Sequence, residues 1–159
     1  MSHTLIFPGT FDPITLGHLD LIERSTRLCS TLIVAVANSS GKQPLFTLTE
    51  RMQLTQTVLA HLPSVHVVSF SGLLVNTVKE HQAQGIIRGL RNQNDYTYEL
   101  ALAQMNQTMD ADCETLFLTA KGSHQAISSS LVREIASMHD DITPFVPQAV
   151  CNALQNKHR

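Results

Sequence analysis

Leu5-Ile6-Phe7-Pro8-Gly9-Thr10-Phe11-Asp12-Pro13-Ile14-Thr15-Leu16-Gly17-His18 reads as an apolar strand, a Gly/Pro-rich loop and a helix that opens on Gly17 and His18. In an open α/β sheet a strand-to-helix junction of this kind is where ligands bind. The N–H groups of the first helical turn have no intrahelical partner there, and the helix dipole is positive. An anion is therefore expected beside Gly17 and His18. Gly9 lets the chain leave the strand with little side-chain obstruction, Thr10 adds a hydroxyl, and Gly17 lacks the Cβ that would keep a phosphate off the backbone. A lone loop histidine is more often a local cap or packing residue, so the weight of His18 depends on its company.

Working outward, Leu32-Ile33-Val34-Ala35-Val36-Ala37 is a near-continuous apolar run, the pattern of a central parallel strand covered on both faces. Val65–Phe70, Gly85–Arg91 and Cys113–Thr119 supply three more strands, alternating with helical stretches. Five strands alternating with helices predict one Rossmann-like α/β domain over residues 1–159, with a five-stranded parallel sheet and helices on both faces. Expected helices run from Gly17 to Leu28, with Leu19, Ile22 and Leu28 inward and Asp20 to solvent, and from the capping box Thr47-Leu48-Thr49-Glu50, with Leu48, Met52, Leu59 and Leu62 on one stripe. A long helix spans 92–109, its apolar stripe formed by Tyr98, Leu102, Met105 and Met109, and Pro147 is placed at N1 of a closing helix.

With 159 residues the chain is long enough for one substantial core and too short for two. A net charge of −2 argues against broad nucleic-acid binding, which needs a basic face. No apolar run approaches the ~20 residues of a membrane span. Met1-Ser2-His3-Thr4 leads into the first strand with no basic region or cleavage site, so a cytoplasmic protein is expected. Cys29, Cys113 and Cys151 are odd in number and lack metal-ligand spacing; free buried thiols follow.

The candidate groups cluster at strand ends. Lys42 follows the second strand. Arg88-Gly89-Leu90-Arg91 ends the fourth, where arginines facing a cleft call for an anion. Ile127-Ser128-Ser129-Ser130 opens a helix beyond the fifth, three hydroxyls in succession that suit triphosphate contacts. Asp95 and Glu99 lie four apart, placed either to touch a nucleotide or to cap and solvate their helix. Leu73 and Leu74 suit either a groove for a slender apolar-amide arm or ordinary core. No carboxylate pair, nucleophile–base pair or metal-ligand cluster stands at the usual spacing, whereas cations, hydroxyls and amides suit phosphoryl-type transfer.

Gly9-Thr10-Phe11-Asp12-Pro13 followed by Thr15-Leu16-Gly17-His18 resembles the first signature of the HxGH nucleotidyltransferases in its T-x-G-H form, and Ile127–Arg133 resembles the second. With Lys42 and Arg88–Arg91 between them, the chain is similar to the bacterial phosphopantetheine adenylyltransferases from about Phe7 to Pro147. That resemblance implies in-line attack of the phosphate of 4′-phosphopantetheine on the α-phosphorus of ATP, with Mg²⁺ on the phosphates. His18 would stabilise charge at the α-phosphate, with Thr10, Lys42 and Arg91 as further catalytic groups. Thr10, Lys42, Leu74 and Arg88 would bind the acceptor. ATP would fall to Thr10, Phe11, His18, Gly89, Leu90, Arg91, Glu99, His124, Ile127 and Ser128 to Ser130. The family also implies a homohexamer and feedback inhibition by coenzyme A.

The chain departs from the family at Phe7, Leu16 and His124, where Tyr, Asn and, in some members, Trp are found. A nicotinamide or nicotinate mononucleotide adenylyltransferase or a cytidylyltransferase would share the two signatures, and a catalytically silent nucleotide-binding module is the reading from another class. Lys42 with Arg88–Arg91 favours phosphopantetheine as acceptor, and intact Thr10, His18 and Lys42 speak against a silent module.

Overall fold

The apolar run after Ser30 forms strand β2 (Thr31–Ala37), which lies between two parallel neighbours, β1 (Thr4–Gly9) and β3 (Val65–Phe70). In the computed structural model, which describes residues 3–38 and 43–159, β4 (Gly85–Leu90) pairs with the other edge of β1, and β5 (Glu114–Thr119) closes the sheet. All pairings are parallel and the order is β3-β2-β1-β4-β5, so the chain reverses its direction of winding between β1 and β4. The expected five-stranded α/β architecture is found. Ligands in such sheets bind at the carboxyl ends of the strands beside that reversal.

Alternation along the strands builds a core on each face. Leu5, Phe7, Val34, Val36 and Ile87 point to one side, where α1 (Leu16–Ser25), α2 (Leu48–Leu59), α5 (Ser129–Ser137) and α6 (Gln148–Lys157) cover them. Ile6, Ile33, Ala35 and Ile86 point to the other, against Val75 and Val78 of α3 (Leu74–Glu80). Sequence-adjacent residues thus serve opposite cores, which is why β2 carries no polar residue after Thr31 at its start.

Several helix details differ from expectation. α1 begins at Leu16 and stops at Ser25, leaving Leu28 exposed, and Asp20 is buried because Arg24 and Lys121 both pair with it. The inner face of α2 is Arg51, Thr55, Val58 and Leu59, with Leu48, Met52 and Leu62 only partly buried beside it. Pro147 is the N-cap of α6, one position before the expected N1. In α4 (Gln93–Met109) Glu99 is the one fully buried residue, while Tyr98, Met105 and Met109 are 64%, 61% and 43% exposed. The expected apolar stripe exists there, but among the described residues nothing covers Tyr98, Met105 and Met109. Cys113 and Cys151 are buried, Cys29 is half-buried, and all three are free thiols whose pKa burial raises.

Candidate active site

The carboxyl ends of β1 and β4 and the start of α5 enclose a cleft of about 490 Å³. Its wall brings together Phe7, Thr10, Phe11, His18, Arg88 and Gly89 with Arg91, Glu99, His124, Ile127 and Ser128 to Ser130, which lie far apart in sequence. Among the expected site residues Leu74 lines a smaller adjoining cavity of about 220 Å³, and Leu90 lines neither. Lys42 lies outside the described residues; its sequence neighbours Gln43 and Pro44 line the cleft.

His18 is held by the start of its own helix. Thr15 is the N-cap of α1 and accepts a hydrogen bond from the His18 N–H at 3.3 Å, while the Thr15 N–H donates to His18 Nδ1 at 3.1 Å. This is a capping box with histidine at the position usually held by Glu or Gln. A backbone N–H can only donate, so Nδ1 is the bare acceptor and the imidazole proton sits on Nε2. The Phe11 ring meets the imidazole edge-on, with centroids 5.0 Å apart. Burial, reinforced by the charges of Arg91 and Arg88, pushes the His18 pKa from 6.5 down to about 4. At neutral pH His18 is therefore a neutral donor, fixed in one tautomer.

The arginines are oriented by acids. Glu99 grips Arg88 through two hydrogen bonds of 2.7 and 2.6 Å, and Arg88 also donates to the Pro8 carbonyl at 3.0 Å. Asp95 accepts from both Nε and the N–H of Arg91, at 3.1 and 3.0 Å, and Arg91 Nη1 reaches the Ile127 carbonyl at 3.1 Å. Fixing these guanidinium groups is a role for Asp95 and Glu99 beyond the two expected of them, nucleotide contact or capping and solvating the helix, and such charge-assisted pairs cost little reorganisation when an anion arrives.

All three serine hydroxyls have partners within the chain: Ser128 caps α5, Ser129 donates to the Pro13 carbonyl at 2.7 Å and Ser130 Oγ accepts from Arg133 Nη2 at 3.4 Å. Their contribution to an anion site then comes from the open N–H groups of the α5 first turn. His124 sits in a short 3₁₀ turn (Gly122–His124), its Nδ1 buried without a hydrogen bond 4.0 Å from Asp20 Oδ2. Burial raises the Asp20 pKa, but hydrogen bonds from Lys121 and Arg24 outweigh it and hold the carboxyl below its usual range.

Thr15, Asp12 and Arg133 stand within the two signatures, but sequence reading assigned them no role of their own. Asp12 is buried and accepts from the N–H groups of Leu45 and Phe46 at 2.9 Å each, while Arg133 donates to the Asp12 carbonyl at 2.6 Å. The spacing of Thr15 and His18 carried a signal for the cap, hidden because histidine is an unusual partner in that motif.

A cleft lined by cations, hydroxyls and helix N-termini at the switch point of a parallel sheet defines an α/β nucleotide-handling transferase. A profile of cytidylyltransferase-like proteins matches residues 6–135. Phosphopantetheine adenylyltransferases from Mannheimia succiniciproducens and Thiobacillus denitrificans are each 48% identical, covering 100% and 98% of this chain and the same shares of their own lengths. Among solved structures, a candidate nicotinate-nucleotide adenylyltransferase from Vibrio parahaemolyticus shares the fold with a TM-score of 0.76 at 17% identity, covering 100% of this chain and 97% of that one. A lipopolysaccharide core biosynthesis protein from Thermoplasma volcanium does so with 0.58 at 23%, covering 76% and 99%. The chain belongs to the phosphopantetheine adenylyltransferase family of nucleotidyltransferases.

Proposed function

We propose that the protein transfers the adenylyl group of ATP to 4′-phosphopantetheine, giving dephospho-coenzyme A and pyrophosphate, the penultimate step of coenzyme A synthesis. The observation that carries the reading is the neutral, single-tautomer His18 at the floor of a cleft that joins a polar, arginine-rich half to a narrow apolar annex. The acceptor phosphate attacks the α-phosphorus in line, and the bond to the bridging oxygen of pyrophosphate breaks. His18 Nε2–H donates to the α-phosphate oxygens as their charge grows, which needs no proton transfer. Thr10 and Lys42 orient the attacking phosphate. Arg88 holds the acceptor, and Arg91 with Ser128 to Ser130 holds the β- and γ-phosphates.

The annex is lined by Ala37, Phe70, Leu74 and Leu102, with the buried Thr115 hydroxyl lacking a partner and Asn106 beside it. Apolar walls with Thr115 and Asn106 as polar handles, beside the Thr10, Arg88 and Glu99 shared with the main cleft, suit a slender arm carrying amides. Phe11, Gly89, Leu90, Glu99, His124 and Ile127 belong to the nucleotide side of this reading. Among the described residues no group of three His, Cys, Asp or Glu side chains is arranged to hold a metal, and Mg²⁺ is proposed to arrive chelated to ATP. No described helix is long and apolar enough to cross a membrane; a cytoplasmic location, a homohexamer and inhibition by coenzyme A complete the proposal.

Pyrophosphate release from Mg-ATP, measured with 4′-phosphopantetheine, with nicotinamide mononucleotide and with no acceptor, tests it. Release with phosphopantetheine alone is expected. Release only with the mononucleotide would reassign the acceptor, and silence in all three would leave a nucleotide-binding module.

A further inference from the structure

Arg51 is 2% exposed on the inner face of α2, and none of the ion pairs among the described residues includes it. A buried guanidinium is costly unless its donors are used. Here they are spent on main-chain carbonyls. Nη1 reaches Thr10 O and Ala37 O, each at 2.8 Å, and Nε reaches Phe46 O at 3.2 Å. Those three carbonyls belong to the loop after β1, the end of β2 and the segment entering α2. Asp12 completes the tie from the opposite side, since its two carboxylate oxygens accept the N–H groups of Leu45 and Phe46.

Thr10 and Ala37 both line the apolar annex, and Phe46 ends a short segment that begins four residues earlier at Lys42. One buried side chain thus fastens the acceptor half of the cleft, and none of its hydrogen bonds reaches β4 or α5 on the nucleotide half. We propose that Arg51 is a positioning residue for the acceptor: without touching substrate it fixes the Thr10 loop and the β2 end against the start of α2, and so sets acceptor affinity separately from ATP affinity. The inference rests on the acceptor reading given above.

Arg51→Met keeps the bulk and strands three carbonyls; Arg51→Lys keeps the charge and reaches fewer of them. For Arg51→Met the KM for 4′-phosphopantetheine should rise about tenfold, the effect of losing roughly one net hydrogen bond, with the KM for ATP within about twofold. Arg51→Lys should show the same split at smaller size, and decides alone if Arg51→Met does not fold. A parallel rise of both KM values, or no change in either, would overturn the proposal. Backbone hydrogen exchange without substrate separates failure of the clamp from failure of the acceptor assignment. Faster exchange confined to residues 8–12 and 43–47 supports the clamp even if the wild type does not turn over phosphopantetheine, whereas unchanged exchange there, or a uniform rise including β4, overturns it.

Discussion

At the scale of the residue, His18 is a histidine whose protonation the fold has removed from the physiological range. With its pKa pushed from 6.5 to about 4, it stays neutral across the pH range in which free histidine titrates. The acid limb of kcat/KM that belongs to His18 should therefore lie near pH 4, in a pH–rate profile corrected for unfolding. Stability carries the opposite face of the same shift. Between pH 6.5 and about 4 the unfolded chain binds a proton at His18 that the folded chain refuses, so stability falls as pH falls through that window and the contribution levels off below it. His18→Ala should remove this slope from denaturant titrations. The same variant should lower kcat by about 10² to 10³ while leaving the KM for ATP within a few-fold, because a donor aimed at developing charge contributes little to the ground state.

Among the elements, β4 and α1 meet at a point with no spare room. A Cβ at Gly89 would overlap the end of the Leu21 side chain, a buried residue of α1. Gly89→Ala should destabilise the protein by about 1–3 kcal/mol through overpacking, read from chemical denaturation, and pairing it with Leu21→Ala should cost less than the sum of the two single changes. The five parallel strands and the covering of both sheet faces were legible because apolar runs and alternation report burial directly, whereas the strand order β3-β2-β1-β4-β5 was not, since a run of apolar residues does not name its neighbour. Arg51 was not legible. Charged helix residues default to solvent, and nothing in the spacing around position 51 announces that three carbonyls wait in the interior. The arginine–acid pairs were half legible: the arginines stood out at a strand end, but the i,i+4 carboxylates Asp95 and Glu99 looked equally fit for solvent.

For the whole molecule, α4 poses the open question of partnership. Its apolar side, with Tyr98, Met105 and Met109 exposed on a 17-residue helix, has no cover among the described residues, and surfaces of that kind mark association. Under the proposed homohexamer, Met105→Glu should shift the sedimenting species from six chains toward fewer, with the far-UV spectrum retained. An unchanged mass would place the assembly contact elsewhere. Periodicity revealed the stripe, but a single chain's pattern does not say whether its own core or another copy covers it.

The cap of α1 ties two histories together. Because the hydrogen bond that starts the helix is also the one that places the imidazole proton on Nε2, damage at Thr15 would strike foldedness and chemistry at once. A compensating change elsewhere that restored melting temperature would repair only the first. Selection for second-site suppressors of such a lesion should therefore yield stable, soluble and still sluggish enzymes, and only reversion at the motif itself would bring back speed.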